Sequence, residues 1–146
     1  STQSKVYDVI NVDKAYSEAT YAKCACDFEV DSIEHQCKAY DISQQTAEAL
    51  KIEALSQHIH SSDVFYRKDP AIPKIAADNN CLAVEMEAFA LFANAQYLNK
   101  MAATILTISD IIPTHEAMSA DQLQNSLDNM SKLALESVVA IREKMG

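Results

Sequence analysis

Apolar residues along the chain fall into short runs separated by polar stretches, the pattern of strands interleaved with covering helices. Val6, Val9, Ile10 and Val12 predict a strand or two through residues 5–12. From about Val30 to Leu50, the apolar positions Ile33, Cys37, Tyr40, Ala47 and Leu50 recur at mixed steps of three and four, which predicts one or two amphipathic helices. Lys51 to Ile59 reads as a strand, closed by the turn residues Ser61-Ser62-Asp63 ahead of the aromatic pair Phe65-Tyr66. Pro70 and Pro73 bracket a loop, and Asp78-Asn79-Asn80 marks a second turn. A short apolar strand follows over Cys81–Val84. Glu85-Met86-Glu87 then leads into an apolar helix up to about Leu98, with Asn99 as its left-handed stop.

Met101 to Ile108 is the cleanest strand. It is nearly all apolar, so it is expected to be covered on both faces and central in a sheet. It ends at Ser109-Asp110, which sets a carboxylate at the carboxyl end of a strand, where open α/β sheets place ligands. Ser119 with Gln122 forms a capping box. Leu123, Leu127, Met130, Leu133, Val138 and Ile141 continue as the apolar stripe of one long C-terminal helix to about Lys144. Strands separated by helices, with no internal repeat, give an α/β fold in one domain over residues 1–146.

Composition narrows the chemistry. The chain has 146 residues, 21 acidic against 12 basic, and a formal net charge of −9. That balance leaves no large cationic face for nucleic acid or anionic lipid, both of which are bound through clustered Lys and Arg. No run of 18 apolar residues exists, and the segment Ser1-Thr2-Gln3-Ser4-Lys5 lacks the order of a signal peptide, so a cytoplasmic protein is expected. Glycine occurs once, at Gly146, which excludes a glycine-rich phosphate cradle. Cys24, Cys26, Cys37 and Cys81 are expected as free thiols: with His35, their spacing fits no zinc-knuckle pattern. His58 and His60 would share one strand face, but no third metal ligand stands near them in sequence.

Glu85, Glu87 and Asp110 each adjoin a strand end. Two carboxylates flanking Met86 suit a polyol, because a carboxylate accepts from two adjacent hydroxyls while a thioether packs on a flat ring face. A ribose is the natural guest. Phe65 adds a surface on which a heterocycle can stack, and Asp110, if desolvated, can deliver a proton to a ring nitrogen. The same residues also fit a plainer role: Glu85 and Glu87 as dipole-favoured acids of a helix's first turn, and Phe65 as core.

Four segments carry a resemblance. They are Ala83-Val84-Glu85-Met86-Glu87-Ala88-Phe89-Ala90-Leu91-Phe92, Thr107-Ile108-Ser109-Asp110, Thr114-His115-Glu116, and Asn129-Met130-Ser131-Lys132-Leu133-Ala134-Leu135-Glu136-Ser137. In order and spacing they resemble the C-terminal half of the bacterial, hexamer-forming purine nucleoside phosphorylases. Ser61-Ser62-Asp63-Val64-Phe65-Tyr66 resembles the same family's aromatic segment, and Thr2-Gln3-Ser4-Lys5-Val6 resembles its Thr-Asp-Ser-Lys-Val turn. The resemblance holds from about residue 50 onward and is poor over residues 6–45.

The resemblance implies a three-layer helix-sheet-helix fold with a mixed central sheet, the C-terminal portion of the nucleoside phosphorylase fold. It also implies attack of phosphate on the anomeric carbon of a purine nucleoside, giving free base and ribose 1-phosphate, with phosphate as co-substrate and no cofactor or metal. By motif position, Asp110 would be the catalytic acid toward the purine ring nitrogen and Ser109 would help hold it. Glu87 would bind the ribose hydroxyls with Glu85 beside it, Met86 would pack on the sugar, and Phe65 and Val84 would contact the base. A homo-oligomer built from dimers, up to a hexamer, is implied as well.

Two departures accompany the match. The family's phosphate ligands lie in a front half that these residues do not include, and Arg67 and Arg142, the two arginines present, match none of them. Leu123 stands where the family carries an Arg that approaches the acid. Alternatives are therefore a nucleosidase of the same superfamily, with water replacing phosphate, and an inert nucleoside-binding subunit.

Overall fold

The computed structural model describes residues 4–35 and 38–145, so the readings that involve Thr2, Gln3, Cys37 and Gly146 fall outside the described residues. A five-stranded sheet forms the centre. Its strands are β1 (Val9–Tyr16), β2 (Ser32–Glu34), β3 (Ala54–Ser61), β4 (Ala83–Glu85) and β5 (Ile105–Thr107). Three of them, in the order β1-β3-β4, run parallel, and β2 and β5 both pair antiparallel with β1, so the sheet is mixed.

Helices cover both faces, as the alternation along β1 dictates. Ile10 and Val12 point to a core shared with α1 (Tyr21–Cys26) and α4 (Ala88–Tyr97), where Ala22, Cys26, Phe89 and Phe92 are buried. Val9 points to the opposite core, against Ala47 of α2 (Lys38–Leu50) and Leu133 of α6 (Asp128–Met145). Asn11 faces the same way, and its amide donates to the Tyr40 carbonyl at 3.2 Å and to Gln44 Oε1 at 2.9 Å in α2. Between Val12 and Lys14 the register against β3 slips by one, so Asp13 is a bulge residue and the inward set continues at Ala15 instead of Lys14. The result is the three-layer helix-sheet-helix architecture.

Several sequence expectations shift. The first strand runs over Val9–Tyr16 instead of residues 5–12. Among the described residues of Val30–Leu50 only α2 is helical; Ile33 belongs to β2, which pairs with the end of β1. Two short helices, α1 and α3 (Lys74–Asp78), had no clear periodic signal. The strand expected over Met101–Ile108 shrinks to three half-buried residues and pairs only with β1, while β1 holds the centre with three neighbours. An apolar run reports the tendency to be buried but carries no information about which partners will flank it.

The capping box forms as predicted at α5 (Ala120–Ser126), with Ser119 Oγ accepting from Gln122 N and Gln122 reaching back to Ser119 N at 2.9 Å. The helix then breaks at Leu127 before α6, so the single long helix is two. Leu133 is fully buried, but Val138 is 63% and Leu123 43% exposed, so Leu123 is not a core residue of a continuous stripe. The helix ends also differ from a glycine-rich design. Asn99 closes α4 with a φ of 52°, as expected, with Lys100 N donating to Ala95 O at 2.8 Å and Asn99 N to Gln96 O at 3.2 Å.

Candidate active site

Parallel strands deliver their carboxyl ends to the same edge, and here β1, β3 and β4 converge on a polar cluster. Ser17, just past β1, donates through Oγ to the Ser61 carbonyl at 2.6 Å. Ser61, the last residue of β3, pairs with Glu85 of β4; its hydroxyl donates to Glu85 Oε1 and accepts from Phe89 N–H at 2.9 Å. The other Glu85 oxygen, Oε2, accepts from the N–H groups of Glu87 and Ala88 at 2.8 and 2.7 Å. Glu85 thus satisfies the orphan donors at the start of α4 and sits against the positive end of its dipole.

Glu87 is in a different position. It is exposed, and its Oε2 accepts from Met86 N–H at 3.2 Å, leaving the carboxylate turned to solvent. Met86 and Val84 are 40% and 49% exposed beside it, and Phe65, on the loop leaving β3, is 74% exposed. Phe65 is therefore not core; it stands edge-on to Tyr66 with ring centroids 4.8 Å apart. One edge of the sheet thus carries an accessible carboxylate, a thioether, a valine and an aromatic ring, the ingredients for holding a sugar bearing a heterocycle.

Ser109 and Asp110 form their own pair. Ser109 Oγ donates to Asp110 Oδ2 at 2.5 Å, and Asp110 opens the small hairpin of β6 (Asp110–Ile111) and β7 (Glu116–Ala117). The antiparallel β5 sets Thr107 opposite Val9, at the start of β1, whereas Ser61 and Glu85 are paired beyond His60, opposite Tyr16 at its end. None of the described hydrogen bonds links the two groups. Asp110 is also exposed.

A second cluster beside Ser61 was invisible in the sequence. His60 is 2% exposed, and its Nε2 meets Glu18 Oε2 at 2.5 Å. Arg67 Nη2 donates to Glu18 Oε1 at 3.2 Å and to Ser62 Oγ at 3.3 Å. Burial pushes the Glu18 carboxyl up, but the hydrogen bonds from His60 and the backbone, the His60 charge and the Arg67 contact bring it below its ordinary value. His58 does not join His60: it meets Asp13 Oδ2 at 3.1 Å, with the Asn79 carbonyl 3.3 Å from its other ring nitrogen. Among the described residues no group of three or more His, Cys, Asp or Glu is arranged to hold a metal ion, and no helix is long and apolar enough to cross a membrane.

The chain is 38% identical over 92% of its length to a DeoD-type purine nucleoside phosphorylase of Mycoplasma genitalium, and 37% identical over 88% to that of Mycoplasma pneumoniae. It spans 57% and 55% of the length of those two relatives. Its fold superposes on a purine nucleoside phosphorylase from Toxoplasma gondii, solved with immucillin-H, at a TM-score of 0.80. That likeness has 20% identity and covers 96% of this chain and 58% of that one. Residues 16–141 match the phosphorylase superfamily, and the chain belongs to that family.

Proposed function

We propose that this chain supplies the nucleoside side of an enzyme that splits purine nucleosides with phosphate into free base and ribose 1-phosphate. The observation that carries the reading is the similarity to the DeoD-type purine nucleoside phosphorylases over 92% of the chain, which spans the accessible carboxylate, thioether and aromatic group at the sheet edge. In this reading Glu87 accepts hydrogen bonds from the ribose hydroxyls, Met86 packs on the sugar, and Phe65 and Val84 contact the base. Glu85 holds the start of α4, and so the backbone that presents Met86 and Glu87.

By its place in the Ser109-Asp110 segment, Asp110 is the proton donor to the purine ring nitrogen, held by Ser109. This role rests on the family match alone, since the strand pairing sets Asp110 at the start of β1 and Glu87 beyond its end. Acid assistance lets the base leave as a neutral molecule while positive charge develops on the ribose. In this reading the ligands for phosphate come from the portion of the fold that the relatives possess beyond the span matched here. The working enzyme is a cytoplasmic homo-oligomer, and phosphate is its co-substrate with no further cofactor.

Inosine incubated with the chain, together with the polypeptide completing the fold, should yield ribose 1-phosphate only when phosphate is added. Free ribose formed without phosphate would replace this reading with a nucleosidase, and binding without turnover would leave a nucleoside-binding subunit. Calorimetry tests the ribose contact directly. Glu87→Ala should weaken inosine by about 1.5–3 kcal/mol while leaving hypoxanthine nearly unchanged, since the free base never meets that carboxylate. Equal losses on both ligands would make Glu87 structural.

A further inference from the structure

The loop over residues 62–67 lacks what normally fixes a loop. Val64, Phe65 and Tyr66 are 46%, 74% and 89% exposed, so apolar burial does not anchor it. The described hydrogen bonds that tie it to the rest of the fold are Ser62 N–H to the Glu85 carbonyl at 2.8 Å, at its root, and Arg67 to Glu18, at its far end. The contact between Ser62 and Val64 is internal to the loop and shapes its turn without holding it to the sheet.

Glu18 is well placed to act as an anchor. Its two oxygens are divided between a buried partner and a loop residue: Oε2 meets His60, which is buried in β3, and Oε1 receives the guanidinium of Arg67. A carboxylate can only accept, so His60 Nε2 carries the proton of that bond. His60 needs this partner because a buried imidazole left unpaired is costly. Glu18 stays ionised at neutral pH because its carboxyl titrates below the usual range. The parallel pairing of β1 with β3, which sets Tyr16 opposite His60, brings Glu18 to this point from the neighbouring strand.

We propose that Glu18 and Arg67 are positioning residues that pin the 62–67 loop to the carboxyl end of β1, and so fix the Phe65 ring where it faces the purine. This rests on the reading of the sheet edge as a nucleoside site. The latch acts on the base and not on the sugar, because Glu87 and Met86 stand at the head of α4, which Glu85 and Ser61 hold independently.

The test compares the full chain with Arg67→Met, Arg67→Lys and Glu18→Gln by amide hydrogen exchange and by hypoxanthine titration. Arg67→Met removes a partly exposed side chain without touching the core, so folding is preserved if Glu18→Gln fails to fold. Expected are exchange about two- to fivefold faster over residues 63–67 in Arg67→Met and Glu18→Gln, with exchange in β3 and α4 unchanged, and partial rescue by Arg67→Lys. Hypoxanthine affinity should fall by a similar factor. Unchanged exchange over 63–67 in Arg67→Met overturns the latch, and faster exchange with unaltered hypoxanthine affinity overturns its role in placing Phe65. If the unmodified chain binds neither hypoxanthine nor inosine, the nucleoside reading fails, while the exchange data still judge the latch on their own.

Discussion

Two carboxylates two residues apart, Glu85 and Glu87, are alike in the residue pattern, where only the family resemblance gives Glu87 the sharper role, and they are not equivalent in the fold. The plainer expectation, an acid in the first turn of a helix, fits neither position: Glu85 ends β4 and holds α4 from outside, its Oε2 accepting from Glu87 and Ala88 N–H at the positive end of the helix dipole. The ligand-facing expectation is left to Glu87. Residue pattern alone cannot separate them, because the structural difference depends on which one Ser61 reaches from the neighbouring strand. The thiols divide in the same way. Burial pushes Cys81 up to about 11, whereas Cys24 is exposed on α1. At pH 8 only about one Cys81 in a thousand is thiolate, so iodoacetamide on the native chain should label Cys24 well before Cys81, as read by peptide mass mapping. Comparable rates at the two sites would contradict the burial of Cys81.

At the scale of elements, the chain closes its turns almost without glycine. Among the described residues, six other than glycine adopt positive φ: Tyr7, Asp27, Lys51, Asn80, Asn99 and His115. Asparagine and aspartate tolerate this region, but a lysine bears the full steric cost of its Cβ. Lys51 ends α2 with a φ of 56°, with Ile52 N donating to Ala47 O at 2.9 Å and Lys51 N to Glu48 O at 3.1 Å, the position at which glycine is usual. Lys51→Gly should therefore stabilise the chain by about 1 kcal/mol, a rise in melting temperature of about 2–4 °C by calorimetry. A fall would mean that Lys51 makes a contact worth more than its backbone strain. The stop at Asn99 and the start at Ser119 were legible because their signals are local. The break at Leu127 was not, since the apolar spacing runs on through it.

Across the whole molecule, charge governs the response to acid. Glu34 is held below its ordinary value by the hydrogen bond and charge of Lys14, and Glu18 by His60 and Arg67 against the opposing effect of burial. A carboxyl depressed in the folded state contributes stability that is present above its unfolded value, near 4.5, and is lost as pH falls through the folded value. Both groups are substantially exposed, so each pair contributes at most about 1 kcal/mol. Denaturant midpoints should hold roughly level from neutral pH down to about 4.5 and then decline, and the decline should be shallower in Glu18→Gln. An identical acid limb in that variant would show that Glu18 has the same affinity for protons folded and unfolded.

The sequence by itself determined the α/β class, the helix at 88–97 with its Asn99 stop, the capping box at Ser119, and the segments by which the chain resembles nucleoside phosphorylases. These are properties of local periodicity, backbone preference and residue order, which need no knowledge of distant neighbours. Only the tertiary structure decided that β1 and not the Met101–Ile108 run is central, that Asp13 bulges so that Ala15 turns inward, and that Leu123 is exposed. It alone brought Glu18 to His60 and Arg67, across 42 and 49 residues of chain. Strand pairing is a long-range choice among many compatible partners, settled by the joint packing of two helical layers, and a linear pattern holds no record of it.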